Sequence, residues 1–309
     1  MTAHHRWVVA IGLLCSVAPA GCGLGAGPSI GEVGLTVTRD YGSQRLLQRS
    51  DPDAPESETA MRLLDRNAEI STRYGGRFVE SVNGIESGRP GGRSHDWFFY
   101  VNGVESPVGA ADYELHGGDR VWWDYRDWTE AMRVPAVVGS FPEPFLHGYE
   151  GSSRPAELHC LGAGTACGVV RDRLGEEGIG LADGAPDPIR IVVGPWARLR
   201  GDEAADLIEQ GPQVSGVFAD FESSRGNYAL ELFDAEGDTR SRMRSGAGLV
   251  AATRYGEDPP TWIVTGTDPA GVAAAAHALN SSALHDRYAI VAVSPQVTFP
   301  SAPIPVPLP

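Results

Sequence analysis

The 309-residue chain contains no lysine; all 25 of its basic side chains are arginine. Schiff-base catalysis and the phosphate-gripping lysine of a P-loop are therefore excluded. Positive charge is scarce as well, with 40 acidic residues and a formal net charge of −15. Such a surface repels phosphate backbones and anionic lipid headgroups, which removes nucleic acid as a partner. Long apolar runs are missing. The stretch Trp7–Val17 falls short of the roughly 20 residues a hydrocarbon core demands, and no later segment is both long and apolar, so no membrane-spanning helix is expected in the mature protein. Catalytic signatures are absent too: there is no G-x-S-x-G elbow, no H-E-x-x-H helix and no recognisable pair of catalytic carboxylates. The chain reads as a binding protein, not an enzyme, with no cofactor implied.

What is present begins with an export signal. A polar start ending at Arg6, the apolar run Trp7–Val17 and the small residues Pro19-Ala20-Gly21 have the three-part layout of a secretory signal peptide. The residues ending in Cys22 resemble the lipobox of bacterial lipoproteins, although Pro19 stands where leucine is usual. The resemblance implies cleavage after residue 21, lipidation of Cys22 and residence at the outer face of the cell membrane. Residues 22–30, with Gly23, Gly25 and Gly27, then read as a flexible tether. A plain secretory signal with an incidental cysteine is the alternative, and it also places the chain outside the cytoplasm. Removing residues 1–21 takes away Arg6 alone, leaving 24 basic side chains against 40 acidic, or −16.

Only four cysteines occur. With Cys15 in the signal and Cys22 at the anchor, Cys160 and Cys167 remain, and in an oxidising compartment they most simply form one disulfide. A metal site drawn from Cys160, Cys167, His159 and His147 is the alternative, but the spacing fits no common zinc pattern.

Residues 31–128 read as one small domain. Val33, Leu35 and Val37 alternate against polar neighbours as in a strand, and Arg45–Gln48 makes a second. Ser57 is placed to cap a helix whose Met61, Leu64 and Ala68 share a face. Strands are expected at Phe78–Val82, Trp97–Val101 and Arg120–Tyr125. The segments Val82-Asn83-Gly84-Ile85 and Val101-Asn102-Gly103-Val104 are near copies, and each Asn-Gly supplies the two positive-φ residues of a tight hairpin turn. Two hairpins around one helix predict a β-grasp-like domain. The Trp97-to-Gly103 hairpin and the turn Gly117-Gly118-Asp119 leading into Arg120-Val121-Trp122-Trp123-Asp124-Tyr125 resemble a bacterial domain family of unassigned function. That family is related to the C-terminal domain of the cobalamin carriers transcobalamin and intrinsic factor. The resemblance implies the same fold, and a corrinoid as one candidate ligand. The separate helical domain that supplies much of the carriers' binding surface has no counterpart in this chain.

Four of the seven tryptophans, Trp97, Trp122, Trp123 and Trp128, lie within 32 residues. Alternation along strands sends Trp97 and Phe99 to one side, Phe98 and Tyr100 to the other, and Trp122 and Trp123 to opposite faces. A two-layer domain buries one face, so some rings are expected at the surface as a platform for a flat or sugar-like ligand, or for a partner protein. Burial of the rings by the helix or by a second domain is the other outcome. The candidate binding residues are accordingly Trp97, Tyr100, Asn102, Gly103, Asp119, Trp122, Trp123 and Tyr125. For Asn102, Gly103 and Asp119 a role in fixing turns comes first.

Residues 129–155, rich in proline and glycine, read as a linker. Residues 156–294 mix helical and strand patterns and predict a second, mixed α/β domain, so the whole chain falls in the α+β class. Within it, Gly162–Gly168 has the strand, Gly-rich turn and helix order of a dinucleotide site but the wrong glycine spacing. Asp268-Pro269 is an ordinary helix start. Residues 295–309 form a proline-rich tail expected to be extended and unpacked. Two functions follow. One is capture of a small hydrophilic ligand for an importer in the membrane beneath; the other is an adhesion or scaffolding module that binds protein or glycan.

Overall fold

A computed structural model describes residues 28–224, 226–295 and 304–308. The signal segment 1–21, the anchor Cys22 and most of the tether lie outside these residues. Among the described residues no helix is long and apolar enough to cross a membrane.

The N-terminal half contains β1 (Ser29–Arg39), β2 (Gln44–Pro55), α1 (Ala60–Asn67), β3 (Ile70–Arg73), β4 (Phe78–Val82), β5 (Ile85–Glu86), β6 (His95–Val101), β7 (Val104–Glu105) and β8 (Arg120–Asp127). The main sheet runs β2-β1-β8-β6-β7, with β1 and β8 parallel at its centre and antiparallel partners outside them. One helix covers one face, through Ala60, Met61, Leu63 and Leu64 packed on Val33, Leu35, Val121 and Trp123. This is the β-grasp-like layout that two hairpins and a helix predict. Helix α1 is capped by Thr59, which accepts from the Arg62 N–H, and not by Ser57. Thr59 is the residue whose extended backbone immediately precedes the first helical turn, and a cap must occupy that place.

The C-terminal half contains β9 (Ala156–Cys160), α2 (Ala166–Glu176), β10 (Ile189–Pro195), α3 (Trp196–Leu199), α4 (Glu203–Glu209), α5 (Pro212–Ser215), β11 (Ala219–Ser224), β12 (Asn227–Phe233) and β13 (Thr239–Met243). It continues with β14 (Ala247–Thr253), β15 (Thr261–Gly266), α6 (Pro269–Ala278), α7 (Ser281–Leu284), β16 (Ala289–Val293) and β17 (Ile304–Val306). Six strands form a mixed sheet, β17-β16-β14-β15-β10-β9, and β11 to β13 form a separate meander. Helices α2 and α6 cover one face of the large sheet through Val170, Leu174, Val272 and Ala275. Its other face meets Trp196, Ile208, Leu230 and, from the N-terminal half, Tyr41, Tyr100 and Trp122.

Two expectations are corrected here. The segment 129–155 is packed instead of lying open as a loose connection: Ala131, Val134, Val137, Phe141, Phe145 and Tyr149 are buried in the cores on either side of it. Its prolines break helix and strand periodicity, but its apolar residues still need cover. The tail is not wholly unpacked, because β17 pairs antiparallel with β16; residues 296–303 lie outside the described chain. Cys160 and Cys167 are joined in a disulfide with Cα atoms 5.9 Å apart, so neither offers a free thiolate to a metal.

Candidate ligand-binding groove

Strand alternation places the aromatic residues on the faces the sequence predicts. Trp97, Trp123 and Tyr125 pack with the core under α1, whereas Tyr100 and Trp122 pack toward the C-terminal half. The expected exposed platform is not formed: Trp97, Tyr100, Trp122 and Trp123 are each at most 4% exposed, and Tyr125 is 9% exposed. The physical reason is that the second sheet face, open in an isolated two-layer domain, is here covered by the C-terminal half. Tyr288 stands edge-on to Tyr41, Tyr100 and Trp122 at ring-centre distances of 5.1, 5.8 and 5.4 Å.

A buried polar network accompanies these rings. The Tyr288 hydroxyl donates to Asp124 at 2.9 Å, Thr38 donates to the same carboxylate, and the Gly42 N–H completes it at 3.2 Å. The Trp122 indole N–H donates to Thr38. Burial pushes the Asp124 carboxyl up to about 6, against the pull of these donors. Burial likewise raises the Tyr100 hydroxyl to about 12.

Asn102, Gly103 and Asp119 serve the turn and its surroundings. Asn102 and Gly103 take φ values of 54° and 78°, as the hairpin requires. Asn102 is fully buried; its amide N–H groups donate to Asp119 and to the Gly148 carbonyl, and its oxygen accepts from the Arg120 N–H. A Cβ at Gly103 would lie 2.8 Å from the Val137 carbonyl oxygen, so only glycine lets the following segment pack there. Asp119 also accepts from the His116 N–H, and burial raises its carboxyl.

Some of the aromatic residues nevertheless line an opening. Between β4 and the outer edge of β6 lies a cavity of about 290 Å³, bordered by Trp97, Phe98, Phe99, Trp123, Trp128 and Met132. It exists because the outer edge of β6 is paired only at its ends. Tyr100 and Val101 meet β7, His95 meets Gly88, and nothing among the described residues pairs with the stretch between. The Asn102 N–H bonds to Arg120 and the Trp128 N–H to Ser94, so even-numbered positions of β6 face β8. By antiparallel alternation the backbone groups of Trp97 and Phe99 face the groove.

The walls are held firmly. The Trp97 indole donates to the Ile85 carbonyl at 3.0 Å and the Trp128 indole to Asp96 at 2.9 Å, while Phe99 stacks on Trp123 with centres 5.0 Å apart. Buried Arg126 lies 3.7 Å from the centre of the Phe98 ring and donates to the Ala131 and Met132 carbonyls at 2.6 and 3.0 Å. It thereby fixes the backbone that carries Met132, whose side chain is 66% exposed at the rim. Among the described residues the buried Trp123 indole N–H has no hydrogen-bond partner. Glu105, at the other end of the groove, is raised by burial and held by Arg133.

Of the eight binding residues proposed from sequence, only Trp97 and Trp123 border this groove. Sequence reasoning missed Met132, which sits in what reads as a linker, and Arg126, whose role depends on a ring on the neighbouring strand. No group of three or more potential metal ligands occurs among the described residues.

Residues 57–127 match the family model described as a domain of unknown function, DUF4430. A solved protein from Ruminococcus gnavus for which metal binding has been suggested is 13% identical, with a TM-score of 0.25, over 31% of this chain and 97% of that one. No curated protein matches the sequence.

Proposed function

We propose that this chain is an extracytoplasmic binding protein, tethered to the cell membrane through Cys22, that holds its ligand in the aromatic groove beside β6. The observation that carries the reading is the groove itself: stacked rings, and backbone groups of Trp97 and Phe99 that no described strand pairs with. At about 290 Å³ the cavity sits at the bottom of the roughly 300–1,000 Å³ range of small-molecule sites. It takes a small flat group, or one edge of a larger ligand such as a corrinoid, which the transcobalamin-like hairpin motifs favour. Delivery to an importer follows from a membrane-anchored carrier.

Titrating the purified mature protein with cobalamins and other vitamins, read by tryptophan fluorescence and corrin absorbance, tests this. Met132→Glu places a charge at the exposed rim without touching the core, and is expected to weaken any response roughly tenfold. No fluorescence change with any corrinoid removes the corrinoid version. A response undiminished by both Met132→Glu and Trp97→Phe removes the groove. For the anchor, Cys22→Ser is expected to move the protein from the membrane fraction to the soluble one; retention in the membrane counts against lipidation.

One observation favours a second reading, the adhesion or scaffolding module. An unpaired strand edge flanked by side-chain pockets is how extended peptides are recognised by strand addition. A partner that is captured by the wild type, lost with Met132→Glu and unaffected by vitamins supports this reading over the first.

A further inference from the structure

A second cleft lies elsewhere, between the N-terminal sheet and the C-terminal half, with a volume of about 520 Å³. Register fixes its floor. Gly34 pairs with Arg120, Thr36 with both Trp122 and Gln48, and Trp122 packs toward Tyr288. By alternation Thr36, Gln48 and Arg120 therefore share the sheet face turned toward the C-terminal half. Ser140 and the exposed Ser282 of α7 stand on the walls, and Arg49 stands at the margin, where it donates to the Gln48 carbonyl.

In an acidic chain this cleft is bordered by two arginines, Arg49 and Arg120, and by the carboxylate Asp286. Among the described residues Arg49 and Arg120 have no carboxylate within salt-bridge distance, although the chain carries 40 acidic side chains. The carboxylate bordering the cleft, Asp286, is engaged by Arg45 at 2.5 Å, with His285 at 3.4 Å on its other oxygen. Gly34 makes room for Arg120: a Cβ there would come 3.3 Å from its Nη1, so the guanidinium lies close over the bare strand. Uncompensated guanidinium donors surrounded by hydroxyl and amide groups match an oxyanion on a hydroxylated carbon frame.

We propose that this interdomain cleft binds a small hydroxylated molecule bearing one oxyanion group, with Arg120 taking the anion and Thr36, Gln48, Ser140 and Ser282 taking hydroxyls. The oxyanion can be a carboxylate or a phosphate, since both accept the planar guanidinium fork. The site is independent of the aromatic groove and stands if that reading fails.

Calorimetric titration of the full mature protein at low ionic strength with gluconate, glucose 6-phosphate, glucose and inorganic phosphate tests the proposal. Saturable binding of gluconate, of glucose 6-phosphate or of both is expected, and which of them binds identifies the anion. Glucose is expected to bind at least tenfold more weakly. Arg120→Gln is expected to reduce affinity roughly tenfold or more, and Ser282→Glu, which sets a carboxylate on the exposed wall, to do the same should Arg120→Gln disturb folding. Arg171→Gln, on the exposed part of α2, is expected to leave binding unchanged. Binding of neither charged sugar, a response to inorganic phosphate alone, equal binding of glucose, or affinity unaltered by both cleft variants would each overturn it.

Discussion

Asp124 shows how one buried side chain makes stability depend on pH. Below its ordinary value of 3.8 the carboxyl is protonated in the folded and the unfolded chain alike, and its burial carries no charge penalty. As pH rises through about 6 the folded protein must ionise it in a fully buried site, so its contribution to stability is lost across that window. The shift corresponds to roughly 3 kcal/mol. Urea melts from pH 4 to pH 7 are expected to show the difference between Asp124→Asn and the wild type moving in the variant's favour by up to about that amount; a difference that stays constant over the range contradicts the assignment. Nothing in the sequence marks Asp124 apart from the other acidic residues. Its partners Thr38 and Tyr288 lie 86 and 164 positions away, and no local pattern carries that information.

At the scale of elements, local chemistry was legible and tertiary cover was not. Both Asn-Gly hairpins form as their turn residues require, because a two-residue connection depends only on its own φ and ψ angles. Their near-identity hides different surroundings. Asn83 is exposed and its side-chain oxygen accepts one hydrogen bond from the Glu69 N–H, whereas Asn102 is buried with three partners. Asn83→Ala is therefore expected to cost about 1 kcal/mol through the turn alone, and Asn102→Ala roughly 3 kcal/mol or more, since it leaves Asp119 and the Gly148 carbonyl without their donors. Equal losses in chemical denaturation count against the contrast. Alternation likewise sorted the rings onto the correct faces but said nothing about what lies over each face. The groove escaped notice because it needs Met132 beside the open edge of β6, and open edges leave no trace in composition.

For the molecule as a whole, the α+β class could be read from the patterning, but the packing of its N- and C-terminal halves against each other could not. Tyr41, Tyr100, Trp122 and Tyr288 form a single contact zone from four distant parts of the chain, and Ala131, Val134 and Val137 fill the space beside it. Such an apolar junction with a satisfied polar centre couples the halves energetically. Calorimetry of the wild type is expected to give one transition with equal calorimetric and van't Hoff enthalpies. Tyr288→Ala removes a buried aromatic worth about 3–5 kcal/mol and is expected to separate the transition into two. Two well-resolved transitions in the wild type, or one unchanged transition in the variant, contradict the coupling.

The incomplete pairing of β6 also bears on solubility. A strand that shows bare amide and carbonyl groups invites an identical strand from a neighbouring copy, and such contacts start aggregates. Asp96 and Glu105 flank the gap, and the overall charge of −15 keeps copies apart. These carboxylates act as guards. Light scattering of Asp96→Asn with Glu105→Gln is expected to show concentration-dependent association that rises with salt, where the parent chain stays dispersed.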